Sequence, residues 1–233
     1  TNIVLEFIFI TNNPITARDV CEAGVSRIFV DWETRGKKKR QGHLDTVRSD
    51  HTFLDAVRVR DSIPDNELMI RLNPLYYGTQ REVEQAVLAG ADLIMLPMFQ
   101  SFKDVETLNG FTGGRAKIVP LFETVESLNH TREICRLEDV VEVYVGLNDL
   151  HLDLKSRFMF EPLADGLLDA VSAASKEEGV RFGFGGIARV DEGDIPGRMV
   201  VGEHIRLNSS SVILSRTFFR DDCGSSPSKD FRK

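Results

Sequence analysis

The stretch TQREVEQAVLAGADLIML (residues 79–96) contains one complete helix-then-strand unit. Val83, Ala86 and Val87 recur at the spacing of one helix face, and Gly90 follows as a residue that commonly ends a helix. The apolar run that begins at Asp92 is too short for a helix and too continuous for a loop. The stretch therefore predicts a helix that stops at Gly90 and a buried strand directly after it.

The same order recurs along the chain, for example in AGVSRIF (23–29) and EGVRFGF (178–184). Most of the β-rich apolar runs start about 24 residues apart, which suits one strand, one helix and two loops of a parallel sheet. The eight predicted strands are Ile3–Ile10, Arg27–Asp31, Leu68–Leu72, Asp92–Leu96, Lys117–Phe122, Val140–Gly146, Val180–Phe184 and His204–Leu214. They predict an α/β protein, a closed (β/α)8 TIM barrel, with a doubly wound open sheet as the alternative.

One barrel domain over residues 1–218 accounts for all eight strands. Residues 219–233 are polar and carry Gly, Ser and Pro, so we expect a disordered C-terminal tail. The eighth helix is accordingly predicted to be weak or missing. Another subunit could cover the flank that it leaves, or the chain could simply be cut short.

The composition excludes several classes of protein. The formal net charge of -7 argues against general nucleic-acid binding, and no apolar run reaches the length of a membrane helix. Cys21, Cys135 and Cys223 lie far apart and have no CxxC spacing, which is typical of free thiols in a reducing compartment. We therefore expect a cytoplasmic protein that binds neither nucleic acid nor membrane.

Charged residues follow several predicted strands where a barrel places its working groups. Glu123 follows strand 5 and Asp149 follows strand 6, and neither has a Lys or Arg beside it in sequence. Two such carboxylates predict a site for a hard divalent cation, Mg²⁺ or Mn²⁺. Alternatively, Glu123 is an acid at a helix N-terminus that Thr124 caps, and Asp149 is the N-cap of the next segment.

Arg71 lies within the apolar strand LMIRL and is predicted to point into the barrel mouth. Its guanidinium could hold a carboxylate or an enolate oxygen with two hydrogen bonds, or form a buried ion pair with a nearby acid. No lysine stands at the C-terminal end of a predicted strand, which argues against a Schiff-base mechanism.

Two loops add weaker signals. The basic run RGKKKRQGH (35–43) follows strand 2 and is either a solvated loop or a segment that closes over an anionic substrate. His43, with His51 as the second choice, is predicted to act as a general acid or base. FGFGGIARV (182–190) is a further anion-binding possibility.

The strand-end motifs resemble the HpcH/HpaI aldolase and citrate lyase β family of the pyruvate/phosphoenolpyruvate barrel superfamily. They are FVDWE (29–33), IRLNP (70–74), AGADLIMLPMF (89–99), PLFETVESLNH (120–130) and VYVGLNDLHLDL (143–154). The resemblance covers about residues 5 to 218. One position departs from the aldolase branch, because Thr34 stands where that branch carries a histidine.

The resemblance implies a role for each matching residue. Glu123 and Asp149 become the ligands of Mg²⁺, Mn²⁺ or Co²⁺, and Arg71 binds the carboxylate and enolate of pyruvate. Further implied roles are substrate binding by Asp31, Leu147 and Asn148, and catalysis by Glu33. The resemblance also implies a cytoplasmic homo-oligomer, often with a C-terminal helix exchanged between subunits.

Three functions follow as hypotheses. The first is a metal-dependent carbon–carbon lyase or aldolase that acts on a 2-keto acid and an aldehyde through a pyruvate-type enolate. The second uses the same enolate for condensation with an acyl donor or for transfer from phosphoenolpyruvate. The third is a barrel that binds anionic metabolites without catalysis.

Overall fold

The apolar runs of the sequence form eight parallel strands that pair in chain order, and the last strand pairs with the first. This computed structural model describes residues 4–36, 51–187, 195–215 and 218. The strands are β1 Glu6–Ile10, β2 Arg27–Asp31, β3 Glu67–Arg71, β4 Leu93–Leu96, β5 Lys117–Phe122, β6 Glu142–Val145, β7 Arg181–Ile187 and β8 Ser211–Leu214. The predicted TIM-type barrel is confirmed, and the open-sheet alternative is wrong because β1 pairs with both β2 and β8.

Helices cover the outside of the barrel in the part of the chain that the structure describes. They are α1 Pro14–Glu22, α2 Phe53–Ser62, α3 Thr79–Leu88, α4 Phe102–Thr112, α5 Val125–Leu128, α6 Thr131–Cys135, α7 Leu147–Asp153, α8 Glu161–Ala164, α9 Leu167–Glu177 and α10 Gly197–Arg206. After α3 the chain turns at Gly90, whose φ of +83° is the left-handed conformation that glycine adopts easily. The helix stop predicted there is confirmed.

The predicted strand His204–Leu214 is wrong over its first half. Helix α10 runs through Arg206, and β8 begins only after Asn208, a turn residue with φ of +52°. Val200 and His204 lie one helical turn apart and are both buried, so the apolar pattern there belongs to a helix face. Only four residues separate the end of α10 at Arg206 from the start of β8 at Ser211, so the two elements look like one apolar run.

The alternation of side chains along each strand divides the apolar residues into two cores. Residues that point outward pack beneath the helices, and residues that point inward fill the barrel. The inward set consists of Ile8, Phe29, Met69, Leu93, Met95, Val119, Leu121 and Tyr144. The barrel interior is therefore a packed apolar plug, and charged inward positions lie at its two ends.

A buried ion network closes the N-terminal end of the barrel. The fully buried guanidinium of Arg27 donates to Glu142 at 2.9 Å and to Glu67 at 2.8 Å. Arg181 lies 3.2 Å from Glu142 and donates two hydrogen bonds to Glu6. Two cations thus face three carboxylates, and the network is nearly balanced in charge.

Close packing explains a glycine in the motif FGFGGIARV. A Cβ atom at Gly183 would lie 2.7 Å from the ring of Tyr144, so this position leaves room for the ring inside the barrel. The Tyr144 hydroxyl donates to the carbonyl of Gly185 at 2.6 Å, next to an irregularity in the pairing of β7 with β8. Residues 188–190 of the motif lie outside the described residues, so anion binding there stays a prediction.

A weak or missing eighth helix and a disordered tail over residues 219–233 are predicted for a part of the chain outside the described residues, and both stay predictions, as do the domain limits. Among the helices that the structure describes, none is both long enough and apolar enough to cross a membrane.

We predict that breaking the buried network destabilises the protein much more than breaking an exposed ion pair of similar geometry does. Glu142→Gln leaves part of the charge of Arg27 and Arg181 uncompensated in the barrel, and it should lower the free energy of unfolding by about 3 kcal/mol. Glu84→Gln is the matched control, because Glu84 receives two hydrogen bonds from Arg115 at the surface, where water screens the charges, and this variant should cost much less. Chemical denaturation measures both, and equal losses would contradict the prediction.

Candidate active site

Arg71 and Asp31 form a two-pronged ion pair at the C-terminal end of the barrel. The two residues are register partners at the ends of β3 and β2. Each lies two residues beyond an inward-facing apolar residue, so both point toward the barrel axis. Arg71 donates from Nε to Asp31 Oδ1 at 2.9 Å and from Nη2 to Asp31 Oδ2 at 2.8 Å. The predicted orientation of Arg71 is confirmed, and so is the ion pair that was its alternative role.

Glu33 approaches the same guanidinium, with Oε2 3.4 Å from Nη2 of Arg71. The side chains of Asp31 and Glu33 are each 2% exposed. Burial alone would lower the pKa of Arg71, but these two carboxylates more than offset it and raise that pKa above its ordinary value. Arg71 is therefore a fixed positive charge. Both oxygens of Asp31 accept hydrogen bonds from Arg71, and the predicted binding of substrate by Asp31 stays a prediction.

Glu123 lies directly after β5 and is buried against the loop that follows β4. Its Oε2 accepts the backbone N–H of Met98 at 3.1 Å. Gly146, after β6, leaves room for the carboxylate, since a Cβ atom there would lie 2.8 Å from Cγ and 3.0 Å from Oε1 of Glu123. Thr124 does cap α5 through the N–H of Ser127, as the alternative for this region expects, but Glu123 itself points into the barrel mouth.

Asp149 occupies the third position of α7, and the N-cap of that helix is Gly146. The alternative prediction that Asp149 is itself an N-cap is therefore wrong. Leu147 and Asn148, predicted to bind substrate through their backbone, are the first two residues of the helix. The backbone N–H groups in the first turn of a helix have no partner within the helix, so they can bind an anion. Their role stays a prediction.

Electrostatics couple the two predicted metal ligands. Burial and the negative charge of Asp149 raise the pKa of Glu123 from 4.5 to about 8, although Arg71 acts in the opposite direction. Among the described residues, the site brings together the four carboxylates of Asp31, Glu33, Glu123 and Asp149 with the guanidinium of Arg71. Carboxylates that lie this close together repel one another, and a bound cation relieves that repulsion.

The donor set fits a hard divalent cation. Carboxylate oxygens are the ligands that Mg²⁺ and Mn²⁺ prefer, and the cradle at Gly146 leaves Glu123 room to serve as one. Within the described ranges no group of three or more His, Cys, Asp or Glu side chains has the arrangement of a metal site. Glu123 and Asp149 would therefore hold the ion with water or substrate in the other positions.

The two histidines predicted for proton transfer have different outcomes. His43 lies outside the described residues. His51 accepts the backbone N–H of Asp31 on Nδ1 at 2.9 Å, and its role in proton transfer stays a prediction. Thr34, at the position of the family histidine, donates its N–H to Asn73 Oδ1 at 3.0 Å.

Two features of the site escape the sequence prediction. Met98 has φ of +53°, a left-handed conformation that is costly for a residue with a side chain, and this conformation accompanies its hydrogen bond to Glu123. Asn73 is 6% exposed and ties the loops after β2 and β3 together. The sequence RLNP carries the only signal for Asn73, a polar residue directly after a buried strand. No signal marks the backbone of Met98.

A sequence profile of the HpcH/HpaI aldolase/citrate lyase family matches residues 9–183 of the chain. The chain belongs to this family. The resemblance inferred from the strand-end motifs is confirmed, and the molecule is a lyase-type barrel of the HpcH/HpaI class. A search of curated protein sequences finds no match to the chain.

Several solved structures share the fold at low sequence identity. The HpcH/HpaI aldolase from Desulfitobacterium hafniense DCB-2 is 17% identical with a TM-score of 0.69, and 91% of this chain and 86% of that chain are covered. An HpcH/HpaI aldolase/citrate lyase family protein from Burkholderia cenocepacia J2315 is 14% identical with a TM-score of 0.71, and 93% of this chain and 91% of that chain are covered. Citrate synthase SbnG is 12% identical with a TM-score of 0.66, and 91% of this chain and 86% of that chain are covered.

We predict that Glu123 makes the stability of the metal-free protein depend on pH. Its pKa is about 8 in the folded chain and 4.5 ordinarily, so the folded chain holds this proton more tightly than the unfolded chain. The stabilisation is complete below the lower value and is lost as the pH rises through the higher one. The free energy of unfolding should therefore fall between them by as much as about 1.4 kcal/mol per pH unit.

Glu123→Gln, which resembles the protonated acid, should flatten this pH dependence. Urea denaturation of both proteins with a chelator at pH 5.5, 6.5 and 7.5 measures the difference. Parallel profiles for the two proteins would contradict a raised pKa at Glu123.

Proposed function

We propose that the chain is a divalent-metal-dependent carbon–carbon lyase or aldolase that acts on a 2-keto acid through a pyruvate-type enolate. The observation that carries the proposal is the arrangement at the barrel mouth. There Arg71 is fixed by Asp31, beside the buried carboxylates of Glu123 and Asp149. Membership of the HpcH/HpaI family supports the same class of reaction.

Glu123 and Asp149 would hold Mg²⁺ or Mn²⁺, with Co²⁺ as a further possibility. A bound divalent cation would supply a Lewis acid that polarises the 2-keto group and stabilises the negative charge of the enolate. Because the pKa of Glu123 is about 8, its carboxyl must lose a proton to become a ligand at neutral pH. Metal affinity should accordingly rise with pH in this range.

Arg71 supplies the second electrostatic element. Arg71 donates to the carboxylate of Asp31 from Nε and from Nη2. Nη1 is therefore the guanidinium nitrogen that we propose donates to the substrate. A guanidinium with a fixed orientation loses little entropy on binding a carboxylate, and its charge opposes that of the enolate. Asp31 is thus a positioning residue for Arg71.

Within the part of the chain that the structure describes, Glu33 is the acid that we propose for proton transfer. It is buried and lies 3.4 Å from Arg71, close to where a substrate held by that guanidinium would lie. Thr34 cannot replace the family histidine in this role, because a hydroxyl is a poor acid and base at neutral pH and its backbone is bound to Asn73. His51 and His43 are the alternatives for the second proton.

Exchange of the methyl protons of pyruvate in D₂O tests enolate formation without a second substrate. NMR spectroscopy should detect exchange with Mg²⁺, Mn²⁺ or Co²⁺ and lose it in the presence of a chelator. Arg71→Ala should lower the rate by about 10²–10³-fold, the usual cost of one oxyanion donor. Arg71→Lys keeps the charge but loses the two parallel N–H groups that bind Asp31, so its exchange rate should remain close to that of Arg71→Ala. Absence of exchange in the unmodified protein with every metal would refute the proposal.

We also predict that Gly146→Ala weakens metal binding. The φ and ψ values of Gly146, -87° and 96°, suit alanine, so the new methyl group conflicts only with Glu123. Displacing one of two protein ligands should lower the affinity for Mn²⁺ about ten-fold or more. Calorimetric titration with Mn²⁺ measures this loss.

Gly202→Ala is the matched control for that experiment. Gly202 lies within α10, and a Cβ atom there would meet nothing within 4 Å. This variant should keep the affinity for Mn²⁺ and gain about 0.5–1 kcal/mol of stability. Equal affinities for Gly146→Ala and Gly202→Ala would count against Glu123 as a ligand.

A second candidate keeps the same enolate but condenses it with an acyl donor or takes it from phosphoenolpyruvate. A citrate synthase shares the barrel, which supports the capacity of this fold for condensation. Rates with acyl-CoA or phosphoenolpyruvate, compared with rates with pyruvate plus an aldehyde, separate the two candidates. The homo-oligomer and the cytoplasmic location stay predictions.

A further inference from the structure

Asn73 fixes the backbone of the loop that follows β2. Its Oδ1 accepts the N–H of Thr34 at 3.0 Å and the N–H of Arg35 at 2.9 Å. Its own Nδ2 donates to Glu82 Oε1 at 2.6 Å, and its backbone N–H donates to Glu82 Oε2 at 3.2 Å. Because a buried amide with this many partners has one orientation, Arg35 leaves the barrel in a defined direction.

The side chain of Arg35 is held as well. Its guanidinium lies over the ring of Tyr76, 4.2 Å from the centroid, and 6.0 Å from the centroid of Tyr77. The Tyr76 hydroxyl donates to Glu82 at 2.9 Å, so the ring is anchored to the same acid as Asn73. Stacking occupies a face of the guanidinium, whereas the N–H groups lie along its edge, where carboxylates and phosphates bind.

Arg35 differs from Arg71 in its charge environment. In the part of the chain that the structure describes, no carboxylate forms an ion pair with Arg35, and the residue is exposed. Arg71 is paired with Asp31 and largely buried. A positive group that is stacked, exposed and not neutralised by a described acid is prepared to bind an anion from solution.

The position of Arg35 relative to the site follows from the strand register. Asp31 and Arg71 are paired, and Asn73 lies two residues beyond Arg71, about 7 Å farther toward the open end of the barrel. Arg35 is bonded to Asn73 at that level. A molecule that reacted with an enolate at Arg71 and extended toward the open end of the barrel would reach this level.

We propose that Arg35 determines specificity for the second substrate by binding an anionic group, a carboxylate or a phosphate, at the end remote from the reacting carbonyl. This inference rests on the proposed lyase or aldolase function. The clamp by Asn73 and the stacking on Tyr76 orient the guanidinium before the substrate arrives, which lowers the entropy cost of binding. Arg35 acts on the second substrate only, and Arg71 serves the 2-keto acid.

Matched pairs of aldehydes test the proposal in the presence of pyruvate and Mn²⁺. Pentanal and 5-oxopentanoate differ by a terminal carboxylate, and glyceraldehyde and glyceraldehyde 3-phosphate differ by a phosphate. Arg35→Ala should lower kcat/KM for the preferred anionic aldehyde by about ten- to a hundred-fold, the range of a charge-assisted hydrogen bond. The neutral partner should be unaffected, and the pair that shows the effect identifies carboxylate or phosphate as the ligand.

Arg81→Ala is the control, because Arg81 is an exposed arginine at the start of α3 and should leave both aldehydes unchanged. Equal losses for neutral and anionic aldehydes in Arg35→Ala, or no loss for either, would overturn the proposal. The exchange of pyruvate protons separates the two ideas, since Arg35→Ala should keep it at the unmodified rate. If the unmodified protein shows no exchange, the proposed function fails. Calorimetric titration with glutarate and with inorganic phosphate then still tests Arg35. Ten-fold weaker binding of either anion to Arg35→Ala supports the role of Arg35, and equal binding overturns it.

Discussion

A closed barrel directs every second side chain of each strand inward, and this constraint governs the rest of the molecule. The middle of the barrel is filled by apolar residues such as Phe29, Met69 and Val119. Continuation of the same alternation by two residues in either direction places charged groups at the ends, for example Arg27 at one end of β2 and Asp31 at the other. Buried charges need compensation, so the two ends of the plug have to solve the same physical problem.

They solve it differently. At the N-terminal end Arg27 and Arg181 face Glu6, Glu67 and Glu142, and the charges nearly cancel. At the C-terminal end, among the described residues, the guanidinium of Arg71 faces four carboxylates, and the pKa of Glu123 rises to about 8. At the first end the described charges nearly compensate one another. At the second end the raised pKa of Glu123 shows that its carboxyl favours a proton, a perturbation that is common at functional sites.

The sequence predicts most of the fold because the determinants of the fold are local. Helix stops such as Gly90 and apolar runs such as β4 are encoded within about one helix-strand unit. The error at His204 has a local cause too, since a buried helix face and a strand in close succession look alike when apolar residues alone are counted. The inward direction of Arg71 is also predictable, because strand alternation fixes it.

The partners within the site are less predictable, because they join residues that are distant in sequence. Asp31 and Arg71 are 40 residues apart, and the amide of Met98 is 25 residues from Glu123. No periodicity encodes such a pair, and only the register of the closed sheet brings its members together. The two hydrogen bonds by which Arg71 and Asp31 are joined are therefore visible only in the structure.

Position 34 shows how the sequence and the structure give complementary information. The sequence identifies Thr34 as a departure from the aldolase branch, and the structure explains how the loop accommodates it. The Thr34 N–H and hydroxyl are directed at Asn73, at 3.0 and 3.4 Å, and Asn73 is bound in turn by Glu82. Beyond it, the backbone of Asp31 is held by His51. The loop after β2 is thus fixed by residues of three other segments and needs no histidine at position 34 for its shape. In the proposed reaction, Thr34 in place of the family histidine leaves Glu33, His43 and His51 as the candidates for proton transfer.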